Sequence, residues 1–136
     1  MIINTTDTEA LAALAEGSRK LADLLRPCFG PYGRNTIFDQ LTDIELIVND
    51  GRQILPQVEL AERSENTGAA LVKKAGEVVG AYNGDGTIAT ILVADTLIQS
   101  GMKQITAGTN PMQLRKALVE WLPLKHAPII PGKEEE

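Results

Sequence analysis

A chain of 136 residues, 43% hydrophobic and 23% charged, has the size and apolar content of one folded domain, which excludes a disordered segment. Its net charge is −5, its 13 lysines and arginines are scattered and its aromatics amount to 4%, so neither a phosphate-backbone footprint nor a base-stacking surface is expected and nucleic acid is not an expected partner. No apolar run is long enough to span a membrane, no basic-then-apolar leader opens the sequence, and the single cysteine, Cys28, fits a reducing compartment; the expectation is a cytoplasmic protein with no membrane partner.

Asp7 is expected to cap a helix that runs to about Pro27. Leu11, Leu14, Ala15, Ser18, Leu21, Ala22, Leu25 and Cys28 recur at helical spacing, with charged residues on the other faces, and this stripe reads as core packing. Phe29-Gly30-Pro31-Tyr32-Gly33 stops the helix in a defined loop. Asn35–Asp39 and Ile44–Val48 are β-rich, are separated by Gln40–Asp43 and read as a hairpin, and the tight turn Asn49-Asp50-Gly51 ends the second strand. Two strands alone are marginal in water, so the hairpin needs helices or a further strand. Ile2–Thr5 is a third strand candidate, in this chain or lent to a neighbour.

The stretch from Gln53 to Glu62 is irregular, or a short helix broken at Pro56. A long helix begins near Ser64, with Ser64 and Thr67 as capping hydroxyls, and ends at Asn83-Gly84-Asp85-Gly86. The next starts at Gly86 or Thr87 and is apolar from Ile88 to Ala94 except for Thr90. A helix apolar nearly all round is expected at the centre of the core. Gly108 ends it. Asn110-Pro111 is a cap followed by proline at the first helical position, and the last helix is expected to stop at Pro123. Residues 1–122 thus read as one domain, and 123–136 as a proline-rich, acidic, extended tail.

Three segments could carry chemistry. Phe29-Gly30-Pro31-Tyr32-Gly33 offers backbone for close approach to a ligand, although taken alone a helix C-cap plus turn is the favoured reading of it. Gly84-Asp85-Gly86-Thr87 stands at a helix N-terminus, where free N–H groups favour an anion; Asp85 is either a simple N-cap or a carboxylate that shares a divalent cation with phosphate. Asp50 in Asn49-Asp50-Gly51 either forms an Asx-type turn or orients a water or metal. His126 has no companion in a ligand spacing, Cys28 has no histidine partner, and Ser18 and Ser64 lack a nucleophile pattern. No Walker loop or dinucleotide fingerprint is present.

These segments occur in a familiar order. Leu21-Ala-Asp-Leu-Leu-Arg-Pro-Cys-Phe-Gly-Pro-Tyr-Gly-Arg-Asn35, then Asn49-Asp50-Gly51, Glu59-Leu60, Glu65-Asn66-Thr67-Gly68-Ala69, Gly84-Asp85-Gly86-Thr87 and Ala107-Gly108-Thr109-Asn110-Pro111-Met112 resemble the N-terminal half of the equatorial domain of GroEL-type (type I) chaperonins over residues 8–121. The resemblance implies a mainly α fold, a partial equatorial-domain-like helical bundle with a small β-hairpin. It also implies a pocket for ATP or ADP with Mg²⁺ and K⁺. By position, Phe29, Gly30 and Pro31 would line the nucleotide, Asp85 would bind Mg²⁺, Gly84, Gly86 and Thr87 would belong to the phosphate-holding segment, and Asp50, the candidate catalytic residue, would sit near the γ-phosphate and attacking water. The hairpin over 35–48 resembles the stem-loop that pairs with a neighbouring subunit's termini.

The departures bear on function. Asn49 stands where the family has Lys, Ile88 and Ala89 where it has hydroxyls, Cys28 where it has Thr, and Tyr32 where it has Lys or Arg. Each removes a charge or hydroxyl from the expected phosphate side, which predicts weak nucleotide binding. The intermediate and apical domains of a chaperonin, with the catalytic aspartate of the former, are not in residues 1–136, so the chain reads as a fragment or a short homologue, inactive as an ATPase alone. Two functions are expected to compete. One is an ATP-binding equatorial module for protein folding and ring assembly, engaging unfolded protein only within a longer chaperonin. The other is an interaction protein with a degenerate pocket, associating with itself or an intact chaperonin through the hairpin, the N-terminal strand and uncovered helix faces.

Overall fold

The computed structural model describes residues 7–39 and 45–125. Within them the order is α1 (Asp7–Leu25), β1 (Thr36–Asp39), β2 (Glu45–Val48), α2 (Gly51–Ile54), α3 (Arg63–Asn83), α4 (Thr87–Thr106) and α5 (Pro111–Lys125). Single 3₁₀ turns follow α1 at Arg26–Cys28 and α2 at Leu55–Gln57. The protein is therefore mainly α with one two-stranded antiparallel hairpin. The strand candidate at 2–5, residues 40–44 between the strands, and the tail from His126 onward lie outside the described residues. The chain divides into two compact units, Met1–Met102 and Lys103–Glu136. None of the described helices is long and apolar enough to cross a membrane.

The first unit is built on the α1–α3 pair. Ala15, Ser18, Leu21, Ala22, Leu25 and Cys28 are buried, so the stripe expected from spacing is the core-facing one. The two backbones touch. A methyl group on Gly17 would fall onto the Glu65 carbonyl of α3, and one on Gly68 onto the Leu14 carbonyl of α1. Gly68, Val72, Gly76 and Gly80 recur every four residues and make one groove along α3. Its first part takes α1, while Gly76 and Gly80 lie against Ile91 and Thr87 of α4. Leu21, Leu25, Ile54, Leu55, Ala69, Val72 and Ile91 close the core. Lys20 on α1 bonds Glu65 on α3 at 2.6 Å at the edge of this contact.

The hairpin pairs Thr36 with Val48 and Ile37 with Ile47. Val48 packs on the core, whereas Ile37 and Ile47 are 64% and 57% exposed. Cys28 is buried, as expected, with its Sγ 3.0 Å from Thr36 Oγ1, which joins the end of α1 to β1.

Four local expectations are corrected. Ser64 and Thr67 do not cap α3: the helix starts at Arg63 after Glu62 with no side-chain cap, and the Thr67 hydroxyl donates back to the Arg63 carbonyl. Asp7 lies inside α1 as its first residue and so is not the residue before it. The α5 helix passes Pro123 and runs to Lys125, because a proline in a final turn costs one ladder hydrogen bond with few further turns left to disrupt. Finally, α4 is not central. Only Thr87, Ile91 and Asp95 of it are buried, and Val93 and Leu97 are more than half exposed. Apolar content measures what a helix could bury, and within this unit α1 and α3 leave only one face of α4 covered.

The helix ends follow their signals. Gly84 closes α3 with φ +73°, a left-handed cap that its hydrogen stands for at no steric cost, and its N–H bonds the Gly80 carbonyl at 3.0 Å. Asn110 caps α5 through the Met112 amide at 2.9 Å, with Pro111 in the first position. Pro56 sits at the start of its 3₁₀ turn, where its missing N–H costs nothing.

Candidate functional site

Three chain segments meet in the first unit around a cleft of about 650 Å³. The loop after α1 contributes Cys28, Phe29, Gly30 and Pro31; the turn into α2 contributes Asn49, Asp50, Gly51 and Arg52; the α3–α4 link contributes Gly84 through Ala89. All the residues singled out from sequence, namely Phe29, Gly30, Pro31, Asp50, Gly84, Asp85, Gly86 and Thr87, line this one cleft although 58 positions separate the first from the last. The cleft forms where it does because glycines let the segments close up. A methyl group on Gly51 would sit 2.6 Å from Ile88 Cγ1, so α2 starts directly against the start of α4.

The α1 loop is held by its own backbone: Gly33 N–H bonds Gly30 O at 2.9 Å and Arg34 N–H bonds Pro27 O at 2.8 Å. That rigidity presents Gly30 with open space where a side chain would be. Phe29 is 53% exposed at the rim.

In the α3–α4 link, Asp85 Oδ1 accepts the Gly86 N–H at 2.6 Å. The amides of Thr87, Ile88 and Ala89 begin α4 and have no acceptor inside the helix. Thr87, Ile88 and Ala89 line the cleft together with Asp85. Thr87 is the first residue of α4. Its hydroxyl is buried and unpartnered and is turned toward Gly80, where a methyl group would collide with it. In this arrangement Thr87 offers the cleft its backbone.

Asp50 is the N-cap of α2, with Oδ1 accepting the Arg52 amide at 2.9 Å. Its Oδ2 accepts from the Arg52 guanidinium, Nη2 at 2.9 Å and Nε at 3.2 Å. The guanidinium hydrogen bonds, then the amide, hold the Asp50 carboxyl below the usual carboxylate range. Arg52 was not singled out from sequence. The available signal was a cation two residues after an Asp-Gly helix start, in the first turn where it can reach back. The expectation of a site depleted of positive charge is thereby revised: Asn49 supplies none, but Arg52 does. Tyr32 does not enter the balance, because it is 95% exposed and not part of the cleft lining.

The donor set can be tested against a metal. No group of three or more His, Cys, Asp or Glu that could hold one is found among the described residues, so a protein-only cage does not fit. One carboxylate beside free helix-start amides does fit Mg²⁺ shared with phosphate oxygens, because that ion keeps most of its shell as water and phosphate.

A mainly helical unit with an antiparallel hairpin and a glycine-walled cleft at its helix ends is the class of protein these observations define. The model of the TCP-1/cpn60 chaperonin family matches residues 21–122, and the chain belongs to that family. The match takes in every segment of the cleft.

Proposed function

We propose that the cleft binds an adenine nucleotide, ATP or ADP with Mg²⁺, and that the chain serves as an equatorial-type module of a chaperonin, taking part in protein folding and ring assembly. The observation that carries the reading is the convergence of the Phe29–Pro31, Asn49–Arg52 and Gly84–Ala89 segments on one cleft with a helix N-terminus in its wall. Bound Mg²⁺ would neutralise phosphate charge. Asp85 would hold that ion, the amides of Thr87, Ile88 and Ala89 would receive phosphate oxygens, and the Gly30 backbone would border the rest of the ligand. Ile88 and Ala89 add no hydroxyl, so the affinity is weak. Calorimetric titration with ATP and with ADP tests this: binding strengthens with Mg²⁺ and Asp85→Ala loses that gain. No heat at millimolar nucleotide, or an Asp85→Ala variant equal to wild type, contradicts it.

A second reading, self-association, is favoured by a separate observation. Ile37 and Ile47 face each other across the hairpin and are both mostly exposed, and Val93 and Leu97 extend an uncovered apolar face on α4. Apolar ladders of this kind are covered in assemblies. Sedimentation should show assemblies that Ile37→Lys weakens; a wild-type monomer at high concentration contradicts this reading.

A further inference from the structure

Among the residues lining the cleft, Arg52 carries the positive charge, and Asp50 and Asp85 carry the negative ones. In the structure the guanidinium is engaged by Asp50 through Nη2 and Nε. Both acids favour its charged form, Asp50 foremost through the hydrogen bond and Asp85 through its field. The pair is open to water, with side chains 51% and 35% exposed, and such pairs hold weakly and exchange readily. The stem, in contrast, is placed. A methyl group on Gly80 would lie 3.2 Å from Arg52 Cγ and 3.4 Å from Cδ, so the aliphatic part runs over the α3 glycine groove. A seated stem with a weakly held head is a cation able to change partners without leaving the cleft.

We infer that Arg52 is a phosphate ligand of the cleft that exchanges partners: it holds Asp50 when no polyphosphate is present and transfers to a phosphate oxygen when a nucleoside di- or triphosphate enters. The inference rests on the nucleotide reading above. No covalent bond changes; an ion pair with a carboxylate is replaced by one with a phosphate, for which the planar guanidinium fork is equally suited. Asp50 keeps its Oδ1 on the Arg52 amide and is left with Oδ2 open to water or a divalent cation. The described side chains lining the cleft sum to one negative charge, and a polyphosphate adds several more. Arg52 therefore matters most when no metal is present.

The test is calorimetric titration of the whole chain with ATP and with ADP, in EDTA and in Mg²⁺. Arg52→Met should weaken metal-free binding by about tenfold or more and Mg²⁺-supported binding by less. Arg52→Lys should restore part of the loss. Asp50→Asn keeps the helix cap, since Asn caps as well as Asp, and should tighten metal-free binding by releasing the guanidinium and removing a negative charge. Mn²⁺ alone should bind Arg52→Met more tightly than wild type, because Asp50 is freed. The inference is overturned if Arg52→Met and Asp50→Asn both weaken binding, if Arg52→Met binds as wild type does, or if wild type binds only with Mg²⁺. A wild type that takes up no nucleotide in either buffer removes the nucleotide reading itself, and this inference with it.

Discussion

Ser18 of α1 donates a hydrogen bond to Asp95 of α4 at 2.9 Å, and both side chains are buried, at 0% and 4% exposure. Gln99 completes the cluster, donating to Asp95 Oδ1 at 3.1 Å and to the Ala15 carbonyl at 2.8 Å. A carboxylate this deep is tolerated only where donors reach it, so its partners hold α1 and α4 together. Ser18→Ala leaves Asp95 one donor short and should cost about 1–3 kcal/mol, read as a lower urea midpoint with an unchanged slope. An unchanged midpoint would mean that water replaces the hydroxyl.

The α1–α3 contact has no room for a methyl group. Gly17→Ala and Gly68→Ala each place Cβ on a backbone carbonyl of the other helix, which cannot rotate away. The better helix propensity of alanine returns less than about 1 kcal/mol, and overpacking should outweigh it, for a net loss of about 2 kcal/mol or more. Gly108→Ala is the comparison: nothing lies near its Cβ, and only its φ of +97° opposes the change, so its loss should be the smaller. Chemical denaturation of the three variants orders them; equal losses would contradict the close approach.

Much of this architecture is legible in the order of residues, and the failures have physical causes. The α1 stripe, the stop at Gly84 and the Asn110-Pro111 start each depend on local chemistry, so neighbours in sequence suffice to find them. Burial of α4 depends on what else packs there. Val93 and Leu97 have the same apolar character as Ile91, yet only Ile91 meets α3 at Gly76. Sequence also placed every cleft residue that a glycine motif marks, from Gly30 to Gly86. It missed Arg52, whose role appears only when the reach of its side chain to Asp50 is seen, and the order of residues does not tell that the Thr87 hydroxyl turns toward Gly80.

Asp50 gives stability a pH dependence of definite sign. Its carboxyl lies below the usual range in the folded chain, first through the guanidinium of Arg52 and then through the Arg52 amide. A lowered folded value means that the contribution is fully present above the ordinary aspartate value, about 4, and is lost as pH falls through the lowered one. Asp50→Asn should therefore be less stable than wild type near neutrality, and the gap should close on acidification. Urea midpoints across that range check this, and a gap independent of pH would contradict it.

Hydrolysis should be absent from residues 1–136. Phosphoryl transfer depends almost wholly on positioning and electrostatic stabilisation. Here the described cleft lining offers two carboxylates, Asp85 on the proposed metal side and Asp50, whose Oδ1 stays on the Arg52 amide even when the guanidinium turns to phosphate, so one carboxylate oxygen is left to position a water. Phosphate release under multiple-turnover conditions should not exceed background. Turnover that vanishes in Asp50→Ala would contradict this and show that this carboxylate suffices to position the attacking water.

The central claim is that nucleotide occupies the cleft between the α1 loop, the start of α2 and the α3–α4 link. Amide NMR spectra recorded during titration with ATP and Mg²⁺ test it most directly, because each wall carries glycines whose amides report their own surroundings. The account predicts saturable shifts concentrated at Gly30, Gly51, Gly84 and Gly86, with Gly17 and Gly68 at the α1–α3 contact unmoved. Spectra that stay unchanged at millimolar nucleotide, or shifts confined to residues away from the cleft, would contradict it.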